Sequence, residues 1–311
     1  MHANAQAIVL LCSQLCVDGS VRPFEPSEWS SLAALMRERG CTPGELLHFA
    51  ENDISARLGL DEQTRARCLR LLDRAGSMEF ELAKYENMGI RVLTRADAQY
   101  PLALKQRLKN SCPPLFYFSG ELSLLNTPLA GYVGARTVTE QDESFTRDTV
   151  EKTVCRGYGV VTGGAKGVDA VAARTALASG APTVEFPADS LLRKLRQSED
   201  VRAIQDGKLL LLSVVKPDAG FSVGVAMMRN RYIYAQSRGT VVVRSDLNKG
   251  GTWAGAIENL RHNWCPTFCR DCAYPGNREL IRQGAVPIDE NWSGDLTDVP
   301  AALSGEQLSL F

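Results

Sequence analysis

The chain has 311 residues, of which 44% are hydrophobic, with a formal net charge of −1 and a pI near 6.4. That length buries one substantial core and leaves material for a smaller second domain. The near-neutral balance excludes the global basic signature of a nucleic-acid-binding domain, so any polyanion would have to be met by a local patch.

Residues 1–76 carry helical spacing: Leu32, Leu35 and Met36, then Leu46, Leu47 and Phe49, then Leu69 and Leu72, with Gly40, Gly44 and Gly76 as helix stops. This predicts a small helical N-terminal domain. The apolar start around Ile8 to Leu11 lacks a basic leader, and no stretch reaches the roughly 20 apolar residues of a membrane span. Nine cysteines scattered among helical and strand patterns fit a reducing compartment, so the expected location is cytoplasmic, with no membrane contact.

From Ser77 the pattern changes to a helix ending near Met88, a short strand at Arg91 to Leu93, and an extended run from Pro113 to Phe118. These read as an annex to a main sheet. After Pro128, strands alternate with helices. Strands are expected at 129–133, 159–162, 182–186, 208–215, 240–244 and 266–269, and helices at 140–156, 168–179, 224–236, after Gly251 and near Glu279. Thr139 with Asp142 suits a capping box, and Gly157 and Gly180 suit helix C-caps. The expected fold is α/β: an extended Rossmann-like, doubly wound, mostly parallel sheet over residues 77–292, preceded by the helical domain. Residues 293–311 read as a flexible polar tail.

Gly134-Ala135-Arg136 follows the first strand of this alternation and precedes a helix, where backbone N–H groups and a helix N-terminus face an anion. Thr162, Gly163, Gly164, Lys166 and Gly167 follow the second strand, and Asp169 there reads as a tie to loop N–H groups. Arg229-Asn230-Arg231 lies in a helix and offers two guanidinium groups. Together Arg136, Lys166, Arg229 and Arg231 would bring up to four positive charges to one crevice, which suits a polyanion better than a neutral metabolite.

Val133 to Arg136, the Thr162 to Asp169 loop, Ala176-Leu177, the Arg-Asn-Arg triplet and Gly250-Gly251-Thr252 occur in the order seen in the DprA/Smf family. Tyr100-Pro101, Pro113 to Gly120, Tyr274 to Gly276 and Gly284-Ala285 extend the resemblance over about 77–288. That resemblance implies a non-enzymatic protein that binds single-stranded DNA, forms a homodimer and helps load RecA in DNA processing, recombination, natural transformation or anti-phage defence. It requires no cofactor. It makes Gly134, Arg136, Thr162, Gly163, Gly164, Lys166, Gly167, Arg229, Asn230, Arg231, Gly250, Gly251 and Thr252 the binding candidates. The chain departs from the family's pattern with Lys166 in place of an arginine, Ala173 in place of a histidine, and no glycine after the first loop.

Two other readings use the same crevice: a nucleotide sensor, or a nucleoside phosphate hydrolase of the LOG type, which Arg229 and Gly250-Gly251-Thr252 echo. Glu258, the nearest acid, lies six residues beyond Thr252, more than a helical turn from the glycines. His262, Cys265, Cys269 and Cys272 have zinc-donor chemistry, but the expected strand at 266–269 would point neighbouring side chains to opposite faces. The terminal Gln307, Leu308, Ser309, Leu310 and Phe311 look like the short motif with which bacterial replication and repair proteins dock to the sliding clamp.

Overall fold

The computed structural model describes residues 1–299. They divide into two compact units, Met1–Ser119 with Ser213–Ala219, and Gly120–Leu212 with the chain from Gly220 onward.

In the first unit, α1 (Ala3–Cys12) is buried nearly all round from Ala7 to Leu11, because α2 (Pro26–Glu38), α3 (Glu51–Leu58) and α4 (Glu62–Leu72) share one core with it. Leu32, Met36 and Leu46 join that core as their spacing predicts. On α4, however, Cys68 and Leu71 face inward, and Leu69 and Leu72 only flank the core. Gly40 follows α2 at φ +67, where a helix stop needs glycine. Gly44 acts differently: a Cβ there would stand 2.8 Å from the Ala3 side chain, so its smallness lets the backbone approach α1. Gly76 is no stop at all, since it lies in the first turn of α5 (Ala75–Asn87). α6 (Leu102–Leu108) lies between β1 (Arg91–Thr94) and β2 (Leu115–Ser119), which pair antiparallel and pack with α1. Residues 77–119 fall in the first compact unit, whereas the sequence reading groups them with the sheet.

Arg67 ties α4 to α2. Its guanidinium forks onto both Glu28 oxygens at 3.1 and 3.0 Å and lies 4.0 Å from the centre of the Phe24 ring. That hydrogen-bonded pair lowers the Glu28 carboxyl to about 2. A depressed carboxyl contributes stability above its ordinary value of 4.5 and loses it as pH falls toward 2. Glu28→Gln is therefore expected to cost about 1–2 kcal/mol at pH 7, the pair being partly screened by solvent. The difference should narrow steadily between pH 4.5 and pH 2 in urea titrations, and a pH-independent difference would refute the ion-pair account.

The second unit is the sheet. β3 (Leu129–Val133), α7 (Glu140–Cys155), β4 (Gly159–Thr162), α8 (Val168–Ala178) and β5 (Thr183–Glu185) alternate as predicted. Next come two short helices with no counterpart in the sequence reading, α9 (Leu191–Lys194) and α10 (Ser198–Gln205), before β6 (Leu209–Ser213). The chain goes on through α11 (Val223–Gln236), β7 (Gly239–Val242), α12 (Gly250–His262), β8 (Thr267–Arg270), α13 (Pro275–Arg282) and an unpredicted last strand, β9 (Val286–Ile288).

Strand order in this unit is β6-β5-β4-β3-β7-β8-β9, with every recorded pairing parallel. The expectation of an α/β, mostly parallel, doubly wound sheet preceded by helices holds. From β3 the chain steps outward through β4, β5 and β6, then returns to place β7 on the other side of β3. The strand order thus reverses between β3 and β7, and open parallel sheets bind ligands beyond the carboxyl ends of strands at such a point.

The first residues of the expected tail, 293–311, are packed against the sheet unit. Trp292 and Leu296 lie in the main core beside Phe268, and Arg156 donates to the Ser293 carbonyl and pairs with Asp295 at 3.3 Å. The clamp-like residues Gln307 to Phe311 lie outside the described residues. Among the described residues, no helix is long and apolar enough to cross a membrane.

Candidate functional site

The loops after β3 and β4 abut. A Cβ on Gly134 would overlap Val168, and one on Gly167 would overlap the backbone of Ala135 and Arg136. Gly167 also has φ +79, a conformation that L side chains rarely adopt. Val168 N–H donates to the Ala135 carbonyl at 3.3 Å. Arg136 and Lys166, one on each loop, are consequently neighbours at one sheet edge, and both are exposed.

The glycine loop is not an open cradle of N–H groups. Asp169, in the first turn of α8, accepts from Gly163 N at 3.1 Å and Ala165 N at 3.4 Å, while the buried Thr162 hydroxyl accepts from Gly164 N at 3.1 Å. The protein's own oxygens take the donors that a phosphate would use, so anion contact there rests on side chains.

Arg229 is not at the surface. Only 5% exposed, its guanidinium fills the space where a Gly163 Cβ would be, and its Nη1 stands 3.6 Å from Asp169 Oδ2. Burial lowers the Arg229 guanidinium and raises the Asp169 carboxyl, each partly offset by the other's charge. Arg231 is partly buried and donates to Glu258 Oε1 at 2.9 Å. Asn230 donates to the Gly251 carbonyl at 2.8 Å, and Thr252 donates to the Gly134 carbonyl at 2.9 Å. Asn230, Gly251 and Thr252 thus join α11 and the start of α12 to the β3 loop, and Gly250 opens α12 at φ +82. Of the four cations expected in one crevice, Arg136 and Lys166 are exposed and join no ion pair among the described residues, whereas Arg229 and Arg231 are each paired with an acid.

A second buried set lies beneath this loop. Glu185, at the end of β5, pairs with Lys194 at 2.7 Å, and Lys194 pairs with Asp200 at 3.2 Å. Burial raises the Glu185 carboxyl against the pull of Lys194. Burial also works to lower the Lys194 ammonium, but Glu185 and Asp200 outweigh it and hold it above its ordinary value.

Two features of this edge are absent from the sequence reading. Phe221, which is 49% exposed, carries the Arg136 guanidinium 4.8 Å from its ring centre. At the ends of β7 and β8, Arg244 and Arg270 converge on the buried Asp142, at 3.2 and 2.9 Å, and Tyr274 donates to the same carboxylate at 3.1 and 3.2 Å. Burial opposes ionisation of Asp142, but bonds from Thr139, Arg244 and Tyr274 outweigh it and hold the carboxyl below its ordinary value.

The candidate zinc donors do not gather. Cys265 contacts the Thr240 hydroxyl, Cys269 contacts the Asn277 carbonyl, and His262 stacks on Trp264. No group of three or more His, Cys, Asp or Glu residues suited to a metal occurs among the described residues.

The sequence model of the DNA recombination-mediator protein A family matches residues 91–294. DNA processing protein A (DprA) from Streptococcus pneumoniae superposes with a TM-score of 0.67 at 19% identity, covering 89% of this chain and 99% of that one. DNA processing protein A from Helicobacter pylori, described for its single-stranded DNA binding mode, superposes with a TM-score of 0.54 at 26% identity, covering 64% of this chain and 90% of that one. No curated protein sequence matches the chain. With the family model spanning most of its length and the doubly wound sheet in place, the chain belongs to the DNA recombination-mediator protein A family, that is, the DprA/Smf family.

Proposed function

We propose that this protein binds single-stranded DNA by its backbone at the carboxyl edge of the sheet, without catalysis and with little regard to base identity. The observation that carries this reading is the pairing of Arg136 and Lys166 on two abutting loops, both exposed and in no ion pair among the described residues, in a chain whose net charge is −1. Family membership and the Helicobacter pylori relative support it. The hydrolase alternative is weakened because Glu258 is engaged by Arg231 and Arg229 is sealed behind Gly163.

In this reading Phe221 is the stacking platform for a base, held flat by Arg136. Phe221→Ala should weaken single-stranded DNA binding by about 1–3 kcal/mol, yet leave the salt dependence unchanged because no charge is lost. Anisotropy titration of labelled single strands checks both statements. Wild-type affinity in Phe221→Ala would remove the platform, and failure of the wild-type protein to prefer single strands over duplex would remove the function.

The reading extends to a cytoplasmic homodimer that delivers its strand to RecA during recombination, in natural transformation or anti-phage defence. The clamp-like tail, Gln307 to Phe311, would tether it to the replication machinery. Each partner is testable by pull-down from the full chain.

A further inference from the structure

The Asp142 cluster holds more positive charge than a staple between elements requires. Asp142 is 0% exposed, and its two oxygens accept from Thr139 N, Arg244, Arg270 and Tyr274, which exhausts the roughly four lone-pair sites of a carboxylate. Two guanidinium groups share that single acid, and Nε of both Arg244 and Arg270 is buried without a hydrogen-bond partner. Arg270 is 9% exposed and lies 4.6 Å from the Phe145 ring centre. The other acid near it, Glu290, is 3.9 Å away with a side chain 70% exposed, a distance and exposure at which screening leaves little attraction. Arg244 lies 4.6 Å from the Tyr274 ring centre and keeps a quarter of its side chain open, at 25% exposure.

Position gives this surplus its meaning. Val133 of β3 is in register with Val242 of β7, and Val243 N–H donates to the Val133 carbonyl. Arg244 and the Gly134–Arg136 loop therefore leave adjacent strand ends on the two sides of the point where the strand order reverses. Arg136 and Lys166 account only for the β3 and β4 side.

We infer that Arg244, oriented by Tyr274 and Asp142, is a third phosphate contact beside Arg136 and Lys166. A single strand would then run from Lys166 past Arg136 and across the reversal point to the end of β7. This rests on the single-stranded-DNA reading and specifies where the strand leaves the site. Arg244 suits the role because its planar fork is anchored on Asp142 through Nη1 while a quarter of the side chain remains exposed.

The test is a salt series of anisotropy titrations on the full chain with a labelled single strand, comparing wild type with Arg244→Gln and Arg244→Lys. Arg244→Gln should reduce the slope of log affinity against log salt by about 0.7, the value of one single-strand phosphate contact. Arg244→Lys should retain the slope, because it keeps the charge. A wild-type slope in Arg244→Gln, while the wild-type protein binds DNA normally, would overturn this contact and leave the function standing. Absence of wild-type binding would overturn both. Loss of inhibition by free nucleoside monophosphate in Arg244→Gln, with DNA binding intact, would reassign the site to a small nucleotide and overturn the proposed path. Partial unfolding of the variant would lower the apparent affinity by the same factor at each salt concentration and leave the slope, and melting curves identify it.

Discussion

Arg229→Ala is expected to destabilise the sheet unit by about 3–5 kcal/mol, because it leaves Asp169 buried without its counter-charge. It also opens a void beside Gly163 where the guanidinium packs. Burial already raises the Asp169 carboxyl in the intact protein, so the ionised acid opposes folding, and removal of Arg229 strengthens that opposition. The deficit should accordingly be largest at neutral pH and shrink on acidification toward the range where Asp169 takes up a proton. Asp169→Asn combined with Arg229→Met should recover part of the loss, since neither charge then remains buried. Urea denaturation at two pH values measures all of this. If Arg229→Ala kept wild-type stability and lost only DNA binding, Arg229 would be a direct contact, contrary to its burial.

Arg136→Ala with Lys166→Ala should behave in the opposite way, losing affinity and keeping stability. Both residues are exposed, and neither joins an ion pair among the described residues. A charge-assisted bond to phosphate contributes about 1.5–3 kcal/mol, so the double variant should bind single strands on the order of 100-fold more weakly or worse. The salt slope should fall by about 1.4, two contacts at about 0.7 each. Arg136→Ala alone should also loosen Phe221, whose ring its guanidinium covers, and so exceed the effect of Lys166→Ala.

The sheet unit is legible in the sequence because its strands are short apolar runs separated by helices with clear punctuation. Thr139 with Asp142 opens α7, Gly157 at φ +85 follows it, and Gly180 at φ +75 follows α8. α9 and β9 escape notice for want of length: a four-residue helix and a three-residue strand carry too few residues for a period to show. Trp292 and Leu296 read as isolated apolar residues in a polar run, and only the packing of the end of the second unit makes them core.

The site is less legible than the fold. Arg229 reads as surface when the Arg-Asn-Arg triplet is taken alone. Yet Arg229, Tyr232, Ile233 and Gln236 are all buried at i, i+3, i+4 and i+7, a stripe that places the arginine on the inner face of α11. Arg231 falls off that stripe and finds Glu258 instead. The Asp142 cluster has no such local signal, because its partners lie 102, 128 and 132 residues away, and a capping residue's second role depends wholly on which strand ends the fold brings to it. Phe221 sits in a loop where one aromatic residue has no period to betray its exposure.

On the proposed function, the carboxyl edge beside the β3 and β7 ends holds single-stranded DNA through exposed cations. The most direct test is a salt-series titration of labelled single-stranded DNA by the wild-type protein and by the Arg136→Ala, Lys166→Ala double variant. Tight, salt-sensitive binding that weakens and loses about 1.4 of its slope in the double variant is the predicted result. Identical curves for the two proteins would contradict it.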